Sequence, residues 1–304
     1  MTKKPFINIC GKDIRVEGRL IRIASLDGEK FTFPNDPEAV LDGLRRYGRR
    51  IDLFTFLQKL PETAPKYAYV MERDNLAVLP VSTFEHWWTQ QIGFKARNKA
   101  KQAEKKGVTL REIPFDDAVL KGICEIYNEC PIRRGRPFPH YGMSLERARE
   151  YAGTFLDRSV FIGAFLGDSM IGFIKLVTDE TRTQACAIHI LSMHRHRDKA
   201  PTNALIAQAV RSCAERGISF LLYDHFSYGK KSRDSLSDFK ANNGFQKVDI
   251  PRYYVPITPL GWVALRLGLH HRIVDHIPEP VMARFRELRT AWYTRKLHPS
   301  MDAS

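Results

Sequence analysis

The chain has 304 residues, 43% apolar and 27% charged, a balance that supports a sizeable core and excludes wholesale disorder. Lys and Arg outnumber Asp and Glu by 48 to 34, a formal charge of +14, so polyanions are the expected partners: nucleic acid, an anionic membrane surface or phosphate-bearing small molecules. Its 5 cysteines (Cys10, Cys124, Cys130, Cys186, Cys213) are scattered and include no C-x-x-C pair, so neither a disulfide framework nor a zinc site is expected.

The opening MTKKPFINIC lacks the apolar run of a signal peptide, and a reduced, cytosolic setting is expected. Residues 1–81 read as a strand-rich region: RLIRIASL, KFTF, IDLFTFL, YAYVME and LAVLPV, divided by turn signals at Asp27-Gly28 and Pro34–Pro37. One short helix, PEAVLDGLRRYG, interrupts them. The segment 82–107 predicts a single helix opened by Ser82 and Glu85 in capping-box spacing and stopped at Gly107. Aromatics come early in it (Trp87, Trp88, Phe94), and cations late (Lys95, Arg97, Lys99, Lys101, Lys105, Lys106).

VTLREI predicts a strand, AVLKGICEIYNE an amphipathic helix, CPIRRGRPFPHYG a loop and SLERAREYAGTFLDR a further helix. In the loop, Arg133, Arg134 and Arg136 offer forks for phosphate or carboxylate, while Phe138, His140 and Tyr141 offer stacking faces. Interleaved Arg and aromatics suit a nucleotide-sugar and a tRNA acceptor stem equally, so the loop is read as acceptor-binding without choosing between them. VFIGAFLGDSMIGFIKLV then reads as two strands joined by a Gly-Asp turn, and ACAIHILSMH as a third. Arg195, Arg197 and Lys199 precede a helix opened by Pro201, Thr202 and Asn203, so cations and free N–H groups are expected to meet at one anion site. A strand ending in Tyr223, Asp224 and His225 and a segment DSLSDFKANNGF with Lys240 follow. The remainder, 258–304, holds the apolar run PLGWVALRLGL, far short of the roughly 20 residues of a membrane span. It also holds a basic amphipathic helix, MARFRELRTAWYTRKL, suited to docking on the protein or to peripheral contact with an anionic inner-membrane surface.

The hairpin, the strand, the anion-friendly helix start and the closing Gly244-Phe245 resemble the acyl-CoA N-acyltransferase (GNAT) superfamily, over residues 82–257. Within it the chain looks most like the FemAB and CelD-like branch and the GNAT-like proteins of bacterial envelope-polysaccharide clusters. The resemblance implies an α/β fold with a mixed sheet flanked by helices, 1–81 being a reduced first half-domain. It also implies an N-acyltransferase that uses acyl-CoA as donor and no metal, acting on the amine of a sugar or other anionic envelope precursor. An aminoacyl-tRNA-dependent transferase is the first alternative, and a non-catalytic scaffold binding RNA or membrane the second. The implied donor-binding residues are Arg195, Arg197, Lys199, Thr202 and Asn203, although the family's glycine-rich phosphate loop is replaced here by RHRDKAPTN. Tyr223, Asp224 and His225 would stand beside the acceptor at a splayed strand end, with His225 or Asp224 as general base, and His189 is a further candidate for the same cleft, its facing left open by strand alternation. Lys240 occupies the place of the superfamily's acidic tyrosine and is read as an oxyanion or substrate ligand, with proton donation second.

Overall fold

The computed structural model describes residues 6–133, 136–228 and 234–271, with Arg284. In chain order the elements begin with β1 (Phe6–Ile9), β2 (Lys12–Glu17), β3 (Ile23–Leu26), α1 (Pro37–Arg46), β4 (Leu53–Leu57) and β5 (Val70–Pro80). Next come α2 (Phe84–His86), α3 (Phe94–Lys105), β6 (Val108–Ile113), α4 (Asp117–Asn128), the short pair β7 (Ile132–Arg133) and β8 (Arg136–Pro137), and α5 (Leu145–Ala152). The hairpin β9 (Ser159–Leu166) and β10 (Ser169–Thr178) leads to β11 (Gln184–Ser192), α6 (Pro201–Glu215), β12 (Phe220–His225), α7 (Ser235–Asn242), β13 (Gln246–Pro256) and α8 (Pro259–Arg266).

A single 11-stranded sheet organises the chain, in the order β1-β2-β3-β4-β13-β5-β12-β11-β10-β9-β6. The pairs β3/β4 and β11/β12 are parallel and the other neighbours antiparallel. This is the GNAT-like mixed sheet that the sequence resemblance implies. The sheet crosses residue 82 without a break, because β5 is wedged between β13 and β12.

Burial explains the helices. Leu205, Ile206, Ala209, Val210 and Cys213 of α6 all lie inside, as their spacing predicts, and each large apolar side chain so buried contributes roughly 1.5–3 kcal/mol. On α4, Val119, Ile123, Ile126 and Tyr127 are buried, and the helix approaches the sheet closely at Gly122, where a Cβ would stand 2.5 Å from the Met170 Cε.

Several segments differ from expectation. KFTF is a turn, closed by hydrogen bonds from the Phe31 and Thr32 amides to the Gly28 carbonyl (2.8 Å each). FINI, KDIRVE and QKVDIPRYYVP, which carry weak patterns, form β1, β2 and β13. YAYVME and LAVLPV join into one strand that runs through Arg73, Asp74 and Asn75, polar residues that read as a break. The helix predicted over 82–107 is two, and its cap is Thr83, whose side chain accepts from the His86 amide. It breaks at Ile92 and Gly93, because the chain there holds the end of α7: Gly93 N–H donates to the Asn242 carbonyl (2.8 Å) and Trp87 Nε1 to the Asn243 carbonyl (3.0 Å). The helix expected over 144–158 ends at Ala152, and Phe155 adopts a left-handed φ of 52°. Apart from Arg284, which is helical and exposed, the basic amphipathic helix of 282–297 lies outside the described residues, as does Arg134. Among the described residues no helix is long and apolar enough to cross a membrane.

Candidate functional site

The site begins where two parallel strands part. β11 and β12 pair over Gln184–Cys186 and Phe220–Leu222 only; beyond that point β12 keeps its other neighbour, β5, with His225 opposite Leu76. The β12–β5 pairing passes through a register shift between Leu222 and His225, within which Asp224 takes a left-handed φ of 52°. A non-glycine residue held there carries conformational strain, which tends to gather at functional sites. The gap left by the departing strand opens into a cavity of about 370 Å³ lined by Glu29, Lys30, Cys186, Ala187, Ile188 and Asp224.

A chain of charges runs along its edge. His225 sits between two carboxylates, with Nε2 2.9 Å from Asp74 and Nδ1 3.0 Å from Asp224. Asp224 also accepts from Lys30 Nζ and from the Tyr228 hydroxyl (2.6 Å). Arg252 donates to Asp74 through Nε and Nη2 (3.0 and 2.9 Å) and to both oxygens of Glu29 (2.8 and 2.7 Å). Burial opposes ionisation of Asp74, but the His225 hydrogen bond and the Arg252 charge outweigh it and hold its pKa down to about 2. Both nitrogens of His225 are thus engaged, and the carboxylate that lines the cavity is Asp224.

Lys240 arrives from α7, which a capping box of Asp234 and Ser237 starts. It is fully buried. Its ammonium donates to the His225 carbonyl and lies over the rings of Tyr223 (4.7 Å) and Tyr228 (5.0 Å). Burial, reinforced by the Lys30 charge, lowers its pKa to about 8. Tyr223, Asp224, His225 and Lys240 are therefore brought together, and Asp74, Arg252, Glu29, Lys30 and Tyr228 join them without having been singled out from sequence.

The turn between β11 and α6 is less open to an anion than its cations suggest. The backbone N–H groups of His194 and Arg195 both donate to the Glu129 carboxylate (2.6 and 2.8 Å). Arg195 turns to the Met193 sulfur (3.1 Å), Arg197 to His194 (3.4 Å), and Lys199 to Asp198 (3.5 Å). Thr202 meets the Ser192 hydroxyl (2.9 Å), and Asn203 donates to Asn243 (3.4 Å). Two carboxylates, Glu129 and Asp198, thus lie among the cations and N–H groups of this turn.

Arg133 is also spent internally. It donates to the Ser192 and Ile126 carbonyls (2.9 and 2.8 Å) and stacks on Phe138 at 4.7 Å, fastening the loop. Arg136 lies in β8, and Tyr141 is about half exposed. His140 packs on Tyr127, Phe138 and Tyr151 (ring centroids 5.4, 5.5 and 4.9 Å). Ile188, the extra residue of a bulge in β11, lines the cavity, whereas His189 packs 4.5 Å from the Tyr151 ring. Burial and the Lys175 charge push the His189 pKa down to about 4. Lys175, opposite it in register, is buried and donates to the Ala152 and Thr154 carbonyls, and burial lowers its pKa to about 8. Of the residues read as acceptor-binding, His140 and His189 thus meet in one aromatic cluster through Tyr151.

No family model matches the chain, and no curated protein sequence matches it. The fold, by contrast, is shared with solved structures. FemX superposes with a TM-score of 0.59 at 10% identity, over 83% of this chain and 86% of that one. The C-terminal domain of a putative lysylphosphatidylglycerol synthetase from Agrobacterium fabrum gives 0.57 at 13% identity, over 86% of each chain. L-PGS from Bacillus licheniformis gives 0.56 at 13%, over 86% and 87%. At such identities the likeness is one of fold.

Proposed function

We propose that this chain is a transferase of GNAT-like fold that passes an activated acyl group to an amine by direct attack, at the splay between β11 and β12. The observation that carries the reading is the buried ammonium of Lys240, fixed by a carbonyl and two rings at a strained strand end beside the Asp224 carboxylate. The N–C bond forms as the bond from the acyl carbon to the leaving oxygen or sulfur breaks. Asp224, oriented by His225 and Lys30, takes the proton the amine must lose. Lys240 meets the charge developing on the leaving atom and supplies its proton. No cysteine or serine stands in a nucleophile arrangement in this scheme, so no covalent acyl-enzyme is required.

For the donor, the Glu129 and Asp198 carboxylates favour an aminoacyl ester of tRNA over acyl-CoA, because a pyrophosphate would have to displace one carboxylate and lie beside the other. The FemX-like fold and the basic, exposed side of α3 (Lys95, Lys99, Lys101, Lys105) agree with that choice. An acyl-CoA donor is the second reading, supported by the helix start at Pro201 and the Arg195, Arg197 and Lys199 cluster. The acceptor is an anionic envelope precursor carrying an amine. In this scheme its amine enters the cavity lined by Lys30, Ala187, Ile188 and Asp224, where the Asp224 carboxylate can reach it.

The test is thermal stabilisation by aminoacyl-tRNA and by acyl-CoA, each at low and moderate salt, followed by transfer of a radiolabelled acyl group to an amine acceptor. Stabilisation by tRNA that fades with salt, with label transfer lost in Lys240→Met, is expected. A salt-resistant shift with acyl-CoA alone moves the donor to the thioester. Failure of both donors to shift the melting temperature or pass label removes the transferase reading.

A further inference from the structure

We propose that Glu72, His270 and His271 form a binding site for one divalent transition-metal ion of the zinc type, with its fourth position open to solvent. The two imidazoles follow α8, in a turn closed by Leu269 N–H to the Ala264 carbonyl (2.8 Å) and His271 N–H to the Gly268 carbonyl (3.2 Å). Both rings aim Nε2 at the same oxygen, Oε1 of Glu72 on β5, at 2.9 and 3.1 Å. The three ligand atoms all lie within 4.8 Å of one another. Tetrahedral ligands at zinc bond lengths of about 2.0–2.1 Å stand about 3.3 Å apart, so side-chain adjustments of at most about 1.5 Å would place an ion among them.

Hydrogen bonding alone accounts poorly for this arrangement. The two imidazole rings lie with centroids 4.0 Å apart, tilted by 39°, so both are drawn to one carboxylate oxygen at close quarters. The His270 side chain is 3% exposed, and its Nδ1 has no hydrogen-bond partner. Arg252, opposite Glu72 in register, is turned to Glu29 and Asp74, which leaves the two imidazoles as the hydrogen-bond partners of the Glu72 carboxylate. Imidazole and carboxylate together suit zinc, cobalt or nickel rather than calcium or magnesium.

The site borders the charge network. Glu72 and Asp74 lie two residues apart on β5 and so share a face, about 7 Å apart along the strand. An ion held at Glu72 would fasten the turn after α8 to the strand that positions His225. The proposal is independent of which acyl donor the chain uses.

Cobalt(II) is the probe, because its visible absorption reports tetrahedral coordination. The full chain, stripped with chelator, is titrated with cobalt and then back-titrated with zinc. One equivalent of cobalt, with intense visible bands that zinc abolishes, is expected. Glu72→Gln and His271→Ala each weaken binding at least tenfold, whereas His271→Cys retains it with an added thiolate charge-transfer band. A variant lacking His194 and His196, which lie at the other strand end, binds as the parent does. Circular dichroism of every variant separates lost binding from lost folding. No cobalt spectrum at tens of micromolar metal, or a spectrum unchanged in Glu72→Gln and in His271→Ala, overturns the proposal.

Discussion

Lys240 illustrates how one residue can serve function against stability. Its pKa of about 8 against an ordinary 10.5 means that keeping the charge inside costs the fold roughly 3 kcal/mol at neutral pH, partly offset by the bond to the His225 carbonyl. Lys240→Met is therefore expected to abolish transfer, by about 100-fold or more, while raising stability by on the order of 1 kcal/mol in urea unfolding at pH 7. The sign with pH follows. Between about 8 and 10.5 the unfolded chain binds more protons than the folded one, so wild-type stability rises with pH there, and the methionine variant lacks the rise. Activity runs the opposite way: if the ammonium is the working form, the rate falls as pH rises through about 8. Asp74 behaves as a depressed carboxylate, stabilising above its unfolded pKa near 3.8 and losing that contribution as pH falls through about 2. Asp74→Asn should cost roughly 2 kcal/mol at pH 7 and much less at pH 2, in the same unfolding measurement.

At the scale of elements, close approaches decide what can change. The first turn of α8 lies so near β4 that a Cβ on Gly261 would stand 1.8 Å from the Asp52 carbonyl oxygen, a backbone atom with nowhere to move. Gly261→Ala is expected to lower stability by about 1–3 kcal/mol, and to release cobalt from Glu72 because His270 and His271 hang from this helix. The helix expected over 82–107 fails for a related reason. Its local pattern favours one continuous helix, but Trp87 and Gly93 are needed to hold the end of α7, and tertiary hydrogen bonds outweigh helical propensity. The break read at Arg73, Asp74 and Asn75 has the same origin. Polar residues mid-strand look like a turn when their partners, Arg252 and His225, are nearly 180 and about 150 residues away.

For the whole molecule, charge is the property most directly open to measurement. α3 buries Ala96, Ala100 and Ala103 and leaves Lys95, Lys99, Lys101 and Lys105 exposed, so the basic stripe is free to meet phosphates. If tRNA is the donor, the logarithm of its affinity should fall linearly with the logarithm of salt concentration. Replacing Lys95 and Lys105 by Gln should reduce that slope by about 2 in a filter-binding titration, since each phosphate contact contributes about one counterion. An unchanged slope would take α3 out of the interface.

Sequence by itself determined the elements whose signals are local. The β9–β10 hairpin follows from its Gly-Asp turn and α6 from its apolar stripe and the proline at its start; with them came the GNAT-like fold class and the association of Tyr223, Asp224, His225 and Lys240. Tertiary structure alone decided which groups complete the site. Asp74 reaches His225 only because β5 is inserted between β13 and β12, and Glu129 reaches the turn after β11 only because α4 ends beside it. It also decided that Lys240 is buried and that His189 faces Tyr151. Hydrophobic periodicity and turn chemistry act between near neighbours in the chain, whereas the partners of a buried charge are chosen by strand order.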